Sequence, residues 1–451
     1  MERALVVFLA LASFAPAADL PVSQDLCPAQ QSARECAVAT NNLASIYFLA
    51  GKYREAEPLF TRAISLWATD AAPSNDLANA FHNLGAVYRV EGRDADATRF
   101  YLRALALRES LTGPGDVGLL PVLDGLGLVY VDMANYVEAE NILRRALAIV
   151  NAHEAESPDK GADTFTAWGA LLENEGKNAD AILWLGKALA IWDNLGDTNS
   201  LAAADAAHSL ALAYRQEGDL PRAESLYRRA LAAYRHASRP RNLVAVLNNL
   251  GRVLTEQSRY KEAEQLYHEA IDVAEQRLGP EHPDVAIGMS GLGKLMLARR
   301  KFSDAEPLLQ RAEQIDRKNF APDHPRIGYD LCNEGMVAMG RKHYADAEEL
   351  FKKSLEILDK TLPPNHPEFG KIAAHLANIY RLEGRLDESE QLYRQALSIL
   401  TVAWGPENPQ LLATLQSYEA VLRSRQEYAE AESVEVRTTK IRVVQALRNS
   451  N

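Results

Sequence analysis

The chain has 451 residues, of which 47% are hydrophobic and 24% charged, and its formal net charge at pH 7 is −12. The acidic balance argues against general nucleic-acid binding, which needs a basic surface. Beyond the N-terminal segment, no apolar run approaches the roughly 20 residues of a membrane-spanning helix.

The first 17 residues have the pattern of a secretory signal peptide. Arg3 precedes an apolar stretch from residue 4 to residue 14, and Ala15-Pro16-Ala17 follows as a small-residue cleavage sequence. We therefore expect cleavage before Ala18 and a mature chain that is exported, either periplasmic or secreted. A frayed hydrophobic helix or a short anchor is the alternative interpretation.

Residues 18–36 form a predicted N-terminal linker that carries Cys27 and Cys36. In an exported chain these two cysteines could form a disulfide that holds the linker in place. Two separate thiols are the alternative. Cys332 has no cysteine near it in sequence, and a lone thiol in a helix usually acts as a small packing residue.

Ten copies of one helix-pair pattern fill residues 37–438. A self-similar period of 20–50 residues is typical of a solenoid, in which each copy buries its apolar face against its neighbours. A small marker residue in the second helix recurs at steps of 40 to 42 residues, as Ala56, Ala97, Ala139, Ala181, Ala223, Ala263, Ala305, Ala347, Ser389 and Ala431.

The copies share one internal numbering if this marker is called position 20. Position 8 is Gly or Ala in the first nine copies, which predicts close approach of the two helices. A turn is expected near position 15, where Gly is frequent. The last copy has Glu419 at position 8 and Glu435 at position 24, so its polar face predicts a terminal cap that continues through residues 439–451.

The pattern resembles the tetratricopeptide repeat, in the long-loop form found in kinesin light chains. The clearest copy has Leu250-Gly251 in its first helix and Ala263, Tyr267 and Ala270 in its second. The resemblance implies an all-α fold, a right-handed α-solenoid of about ten stacked helix pairs. It also implies that the first helices line a concave groove that binds protein or peptide segments.

Candidate groove residues follow from this resemblance. Asparagines at position 6 of peptide-binding repeats contact the ligand backbone, and an amide suits that task because it both donates and accepts hydrogen bonds. Here they are Asn42, Asn83, Asn249 and Asn333. Polar residues that merely face solvent or a neighbouring helix are the alternative.

Positions 9 and 12 follow position 6 along the groove side of the first helix, and they carry an excess of basic residues. We call positions 9 and 12 the stripe. Only Glu173 is acidic among them, which favours a groove for acidic segments, since arginine pairs well with carboxylates. The alternative is that these basic residues are simply good helix formers on a solvent-exposed face. The six basic residues are Arg89, Arg215, Arg252, Lys294, Arg381 and Arg423.

Three motifs that suggest chemistry do not carry it. His282, His324 and His366 recur before prolines at 42-residue spacing, but equivalent positions on packed helices lie too far apart for one zinc ion. We instead predict that they are helix N-caps, with Asn408 in the same role. Gly288 to Lys294 has phosphate-loop spacing but is followed by Leu295, and His268-Glu269 lacks the second histidine of a zinc-protease helix.

The sequence therefore predicts a non-enzymatic scaffold without a metal or cofactor. The expected partners are protein or peptide segments, with a preference for acidic ones, and not nucleic acid. No transmembrane segment is expected in the mature chain. Two other functions stay open. The chain could be a structural component of an envelope or secretion assembly, or the regulatory arm of a sensing complex.

Overall fold

The computed structural model describes residues 32–49, 52–69, 73–153, 157–236, 240–360, 362, 364 and 366–450. The predicted signal peptide, most of the linker, and Cys27 therefore lie outside the described residues. Cys36 is buried, and its pairing with Cys27 stays a prediction. No helix among the described residues is both long and apolar enough to span a membrane.

The described residues form twenty α-helices in ten consecutive pairs and contain no β-strand. Each copy thus consists of a first (A) helix and a second (B) helix, as predicted. The A helices are α1 (Ala33–Leu49), α3 (Asn75–Val90), α5 (Leu120–Asp132), α7 (Pro158–Asn174), α9 (Leu201–Gln216), α11 (Pro240–Glu256), α13 (Pro283–Ala298), α15 (Pro325–Gly340), α17 (Pro367–Leu382) and α19 (Leu412–Ser424). The B helices are α2 (Tyr53–Ala68), α4 (Asp94–Thr112), α6 (Tyr136–Ala152), α8 (Asn178–Asn194), α10 (Leu220–Arg235), α12 (Tyr260–Leu278), α14 (Phe302–Asn319), α16 (Tyr344–Leu358), α18 (Leu386–Trp404) and α20 (Tyr428–Ser450).

The chain divides into two compact units, residues 1–160 and residues 161–451. Unit 1 contains copies 1–3, and unit 2 contains copies 4–10. Within each unit, a B helix packs against its own A helix and against the A helix of the next copy. The fold is an all-α solenoid of helix pairs, so this prediction is confirmed.

The B helices are held by a stripe of small and aromatic residues. In α10 the buried positions are Ala223, Tyr227, Ala230, Leu231 and Tyr234, which follow the three- and four-residue spacing of one helical face. Each fully buried aromatic contributes roughly 1.5–3 kcal/mol of hydrophobic free energy. A pair of helices this short is marginal in isolation, so stacking of copies supplies the burial that keeps it folded.

Position 8 brings the two helices of a copy together, as the sequence predicted. A Cβ atom added to Gly335 would lie 2.7 Å from Phe351 Cε1, and one added to Gly169 would lie 2.4 Å from Leu185 Cγ. In both copies the contacted side chain is at position 24 of the B helix. A glycine in the A helix therefore makes room for a large side chain in the B helix.

Position 15 lies two residues after the last residue of the A helix, and its backbone is left-handed in every copy for which it is described. The φ angles lie between 55° and 80°. The next residue donates its backbone N–H to the carbonyl of position 11, as from His343 to Ala338 at 2.9 Å, which closes the helix end. Glycine is present only at Gly92, Gly176, Gly218 and Gly384, and the other copies have Ala134, Ser258, Arg300, Lys342 and Gln426.

The recurring histidines are helix N-caps, which confirms that prediction. His282, His324 and His366 each accept a backbone N–H from two residues later through Nδ1, at 3.1, 3.2 and 3.3 Å. Each precedes a proline at the start of an A helix. Asn408 has the same role in copy 10, where its Oδ1 accepts the Gln410 N–H at 2.9 Å.

Unit 2 closes on itself through the loop of copy 10. Asn408 Nδ2 donates to the backbone carbonyl of Gln216 at 2.7 Å, across 192 residues of sequence. Gln410 Nε2 donates to the same carbonyl at 3.3 Å, and a Cβ added to Gly218 would lie 2.9 Å from Pro409. We call this contact the clasp. It joins copy 10 to copy 5, so the A helices between them enclose a groove.

Candidate binding groove

Charges from three copies meet in the groove of unit 2. Glu368 begins α17, yet it interacts with Lys294 on α13 and Arg252 on α11, two and three copies earlier. Burial alone would raise the pKa of Glu368, but the positive charges of Lys371, Lys294 and Arg252 outweigh it and hold the pKa below its usual value. These A helices therefore face one another across the groove.

A cavity of about 490 Å³ opens in this groove between copies 6, 7 and 8. We call it the central cavity. Its size is in the range of cavities that bind small molecules or side chains. Four of the residues predicted from sequence line it together, namely Asn249, Arg252, Lys294 and Asn333.

The two cations of the central cavity that the sequence predicted, Arg252 and Lys294, differ in their partners. Arg252 Nε lies 3.6 Å from Glu256 Oε1, one helical turn away, and half of its side chain is exposed. Lys294 is exposed and makes no direct ion pair with any described residue. The pKa of Lys294 is nevertheless lowered. The larger cause is desolvation by the surrounding protein, and the smaller one is the charge of Arg252. Lys294 is therefore a solvent-exposed cation in the wall of the cavity, and its ammonium group can donate hydrogen bonds to a carboxylate.

Two other predicted arginines bind the neighbouring copy. Position 12 of one copy contacts position 13 of the next: Arg89 Nε lies 2.7 Å from Asp132 Oδ2, and Arg215 Nη1 lies 3.2 Å from Glu256 Oε1. Arg215 is only 7% exposed. The sequence stripe thus includes arginines that join copies, a function that the position count alone did not distinguish from ligand binding.

The acidic member of the stripe follows the same rule. Glu173 at position 12 accepts a hydrogen bond from Gln216 Nε2 at position 13 of the next copy, at 3.1 Å. Burial raises the pKa of Glu173 to about 7, although the nearby Arg215 charge opposes this rise. Near neutral pH this carboxyl is therefore partly protonated.

The last two basic residues of the stripe are engaged within their own copies. Arg381 donates to Asn378 Oδ1 from Nε and Nη2, at 3.2 and 2.9 Å. Arg423 contacts Glu419 and Glu435, each at 2.8 Å. They lie in copies 9 and 10, outside the lining of the central cavity.

The position-6 asparagines occupy different environments. Asn42 is exposed and Asn83 is half-buried, both in unit 1. Asn249 Nδ2 lies 2.9 Å from His208 Nε2 of the preceding copy. Burial lowers the pKa of His208 to about 4, so its neutral ring can accept this hydrogen bond. Asn333 is only 3% exposed in the wall of the central cavity.

The sequence did not indicate three buried polar residues of the same cavity. Asn248, Asp316 and Asp330 line it and are 7%, 2% and 5% exposed. Asp316 is at position 31, where Leu358 and Leu400 are buried in copies 8 and 9. An acidic residue at a position that is apolar in other copies was the sequence feature that could have indicated Asp316.

A separate group of acidic residues, Glu390, Glu427 and Glu430, has the spacing of a metal site. Arginines occupy it in this structure. Arg425 Nε lies 2.8 Å from both Glu390 and Glu427, and Arg394 Nη2 lies 2.7 Å from Glu430. The group is therefore an ion-pair network between copies 9 and 10.

Comparison with known sequences agrees with the repeat geometry. Sequence models described as Tetratricopeptide repeat match residues 35–110, 76–152, 162–236, 242–318 and 370–442, and a further one matches residues 333–368. The chain belongs to the tetratricopeptide repeat family. Among curated proteins, this tetratricopeptide repeat chain is similar to Protein KINESIN LIGHT CHAIN-RELATED 3 of Arabidopsis thaliana, with 26% identity over 170 residues. The match covers 35% of this chain and 26% of that protein.

Two solved structures are similar to the tetratricopeptide repeat chain. A Rap protein complexed with Competence and Sporulation Factor matches at a TM-score of 0.59 and 14% identity, over 82% of this chain and 99% of that one. BtubC from P. vanneervenii matches at a TM-score of 0.41 and 22% identity, over 51% of this chain and 92% of that one. At these identities the likeness concerns the fold alone.

Proposed function

We propose that the chain is a non-enzymatic scaffold that binds an extended protein or peptide segment in the groove of unit 2. The observation that carries this proposal is the convergence of Asn249, Arg252, Lys294 and Asn333 on the central cavity. The structurally similar Rap protein was solved with Competence and Sporulation Factor, which supports a segment as the ligand of such a fold.

Acidic side chains of the segment would bind Lys294 and Arg252. In the structure, the negative charge of Glu368 acts on both cations from across the groove. An acidic residue of the partner would place a second negative charge beside them, inside the groove. The amide of Asn333 would contact the partner's backbone. The hydrogen bonds from Lys294 and Arg252 to carboxylates would be charge-assisted, and such bonds are about twice as strong as neutral ones.

The same proposal places the protein outside the cytoplasm. The support is the signal-like pattern of residues 1–17, which lies outside the described part of the structure. A structural role in an envelope or secretion assembly would use the outer faces of the B helices instead, and so would predict binding that ignores substitutions in the groove. A regulatory arm of a sensing complex would use the groove.

The test is selection from a random dodecapeptide library displayed on phage, with the chain from Ala18 onward as bait. Affinities of the selected peptides are then measured for Arg252→Ala/Lys294→Ala. The matched control is Lys261→Ala/Lys353→Ala, which removes the same charge from exposed positions of two B helices. We expect at least a tenfold loss of affinity in the groove variant and no change in the control. Equal affinity in both would contradict binding in the groove.

A further inference from the structure

Two carboxyl groups lie buried side by side in the central cavity. Asp316 lies in the last turn of α14 and Asp330 in the first half of α15, and they are 2% and 5% exposed. Other copies place apolar residues at these positions, such as Leu400 at position 31 and Ile372 at position 3, both almost fully buried. Folding of a repeat therefore does not require these acids. Buried carboxyl groups are costly unless they are paired.

The pairing of these two carboxyl groups is incomplete. Arg326 Nε lies 2.8 Å from Asp316 Oδ2, which neutralises one charge. Asp316 Oδ1 and Asp330 Oδ2 have no hydrogen-bond donor among the described residues. Two acceptor oxygens on neighbouring copies thus remain available at the wall of the central cavity.

Burial and the charge of its neighbour favour the protonated form of Asp330. Burial, and then the negative charge of Asp316, raise the pKa of Asp330 to about 8. Glu313 on α14 adds to this rise, whereas Arg326 on α15 and Lys294 on α13 oppose it. The pKa of Asp316 is raised by burial and opposed by Arg326, by His324 and by a hydrogen bond with Asp330. At neutral pH the pair thus holds one proton, which a ligand can displace.

An amide in the same cavity gives an independent indication of a ligand. Asn248 lies on α11, one copy before Asp316 and two copies before Asp330, and is 7% exposed. Neither its Oδ1 nor its Nδ2 has a hydrogen-bond partner among the described residues. A buried amide normally has both atoms bonded, and leaving such a group unpaired costs about 1–3 kcal/mol. Its oxygen adds a third acceptor to the two of the aspartates.

A cationic side chain fits these acceptors better than a metal ion does. Calcium takes six to eight oxygen ligands, and Arg326 already occupies one oxygen of the aspartate pair. An ammonium or guanidinium group needs only a few acceptors. It carries one positive charge, which is the charge that leaves the aspartate pair with its proton. The exchange of a proton for a ligand cation keeps the net charge of the cavity unchanged.

We propose that Asp316, Asp330 and Asn248 form a subsite for one lysine or arginine side chain of the segment bound in the groove. This inference rests on the proposed function and adds to it. Beside a cation-lined part at Arg252 and Lys294, the groove has a subsite of opposite charge. The preferred segment therefore carries a basic residue as well as acidic ones, and its binding releases a proton from the aspartate pair to water.

The test uses peptides selected from the phage-displayed dodecapeptide library at pH 8.5. Synthetic forms with the basic residue, or with norleucine in its place, are titrated against the chain from Ala18 onward and against Asp330→Asn. This variant resembles the protonated aspartate in shape, so the fold should be retained. The control is Asp272→Asn, at an exposed position of α12.

We expect norleucine to weaken binding at least tenfold for the unmodified chain and for the control, and less than twofold for Asp330→Asn. Between pH 6 and pH 8 the affinity of the unmodified chain should rise by up to tenfold per pH unit, and that of Asp330→Asn should stay constant. Selected peptides that need Arg252 and Lys294 but no basic residue would overturn the subsite and leave the proposed function standing. A library without any specific binder would contradict both.

Discussion

Asn408 uses the two ends of its side-chain amide for two different contacts. Its Oδ1 caps the short helical turn Pro409–Leu411 of copy 10, and its Nδ2 donates to the carbonyl of Gln216 in copy 5 at 2.7 Å. The first contact is local and recurs in copies 7 to 9 as a histidine cap. The second is the clasp that closes the groove of unit 2. The same side chain therefore caps the start of copy 10 and holds copy 10 against copy 5.

The clasp can be removed without loss of the cap by Asn408→Asp, because aspartate keeps the accepting oxygen and lacks the donor. A carboxylate oxygen would then face the Gln216 carbonyl, so we expect a loss of about 1–3 kcal/mol in the stability of unit 2. Faster amide exchange around Gly218 should accompany it. Urea denaturation and hydrogen exchange measured by mass spectrometry check both effects.

The control for this prediction is His366→Asp, which places aspartate before Pro367 at the start of copy 9. His366 Nδ1 caps that helix, and no described contact links it to copy 5. We expect amide exchange around Gly218 to stay unchanged in this variant. The same increase in both variants would show that the clasp does not hold copy 5.

The sequence predicted the features that depend on one copy, but it did not predict the contact between distant copies. The helix pairs, the position-8 contacts and the histidine caps each depend on residues within one copy, and the sequence predicted them correctly. The clasp depends on how far successive copies rotate, a quantity that no short pattern contains. Asn408 was therefore predicted as a cap but not as a partner of Gln216.

The candidate site shows the same limit. The sequence stripe contained Arg252 and Lys294, which line the central cavity. It also contained Arg89 and Arg215, which bind the next copy. Their acidic partners lie about one repeat later at position 13, and a comparison of neighbouring copies could have found them. Asp316 and Asp330 lie at positions that are apolar in other copies, so the pattern of the stripe gave no indication of them.

Lys342→Gly should stabilise unit 2. Lys342 follows the end of α15 by two residues and has a φ of 68°, a conformation that costs residues other than glycine about 1–2 kcal/mol. Part of the gain is lost because glycine adds entropy to the unfolded chain. The expected net gain is about 0.5–1 kcal/mol, read from the shift of the urea denaturation midpoint.

The reverse substitution in the next copy is the control for Lys342→Gly. Gly384 has a φ of 80°, and an added Cβ would meet nothing within 4 Å. Gly384→Ala should therefore destabilise through its backbone alone, by about 1 kcal/mol. Stability changes of the same sign in the two variants would contradict the left-handed helix end.

Gly335→Ala should destabilise copy 8. The new Cβ would lie 2.7 Å from Phe351 Cε1, and Phe351 is fully buried. The two helices would have to separate, at a cost of about 1–3 kcal/mol. Thermal or urea denaturation measures the loss, and Phe351→Leu in the same chain should recover part of it by making room for the new methyl group.

Gly186→Ala is the matched change at an open position. Gly186 lies inside α8, and an added Cβ would meet nothing within 4 Å. Alanine is the better helix former by about 0.5–1 kcal/mol, so this variant should gain stability. A loss in both variants would mean that the space at position 8 does not decide the effect.

Asp330→Asn should change how stability depends on pH. Asp330 has a pKa of about 8 in the folded chain, raised by burial and by the Asp316 charge, whereas an unfolded aspartate titrates near pH 4. Between these values the folded chain binds the additional proton. Its stability contribution is therefore present at low pH and is lost as the pH rises toward 8.

Asparagine at position 330 cannot lose a proton, so the variant should gain stability relative to the unmodified chain as the pH rises. We expect the difference to grow by about 1–3 kcal/mol between pH 5 and pH 9, measured by urea denaturation at both values. Asp272→Asn, at an exposed position of α12, should show a constant difference. A constant difference for Asp330→Asn as well would mean that Asp330 does not hold a proton at neutral pH in the folded chain.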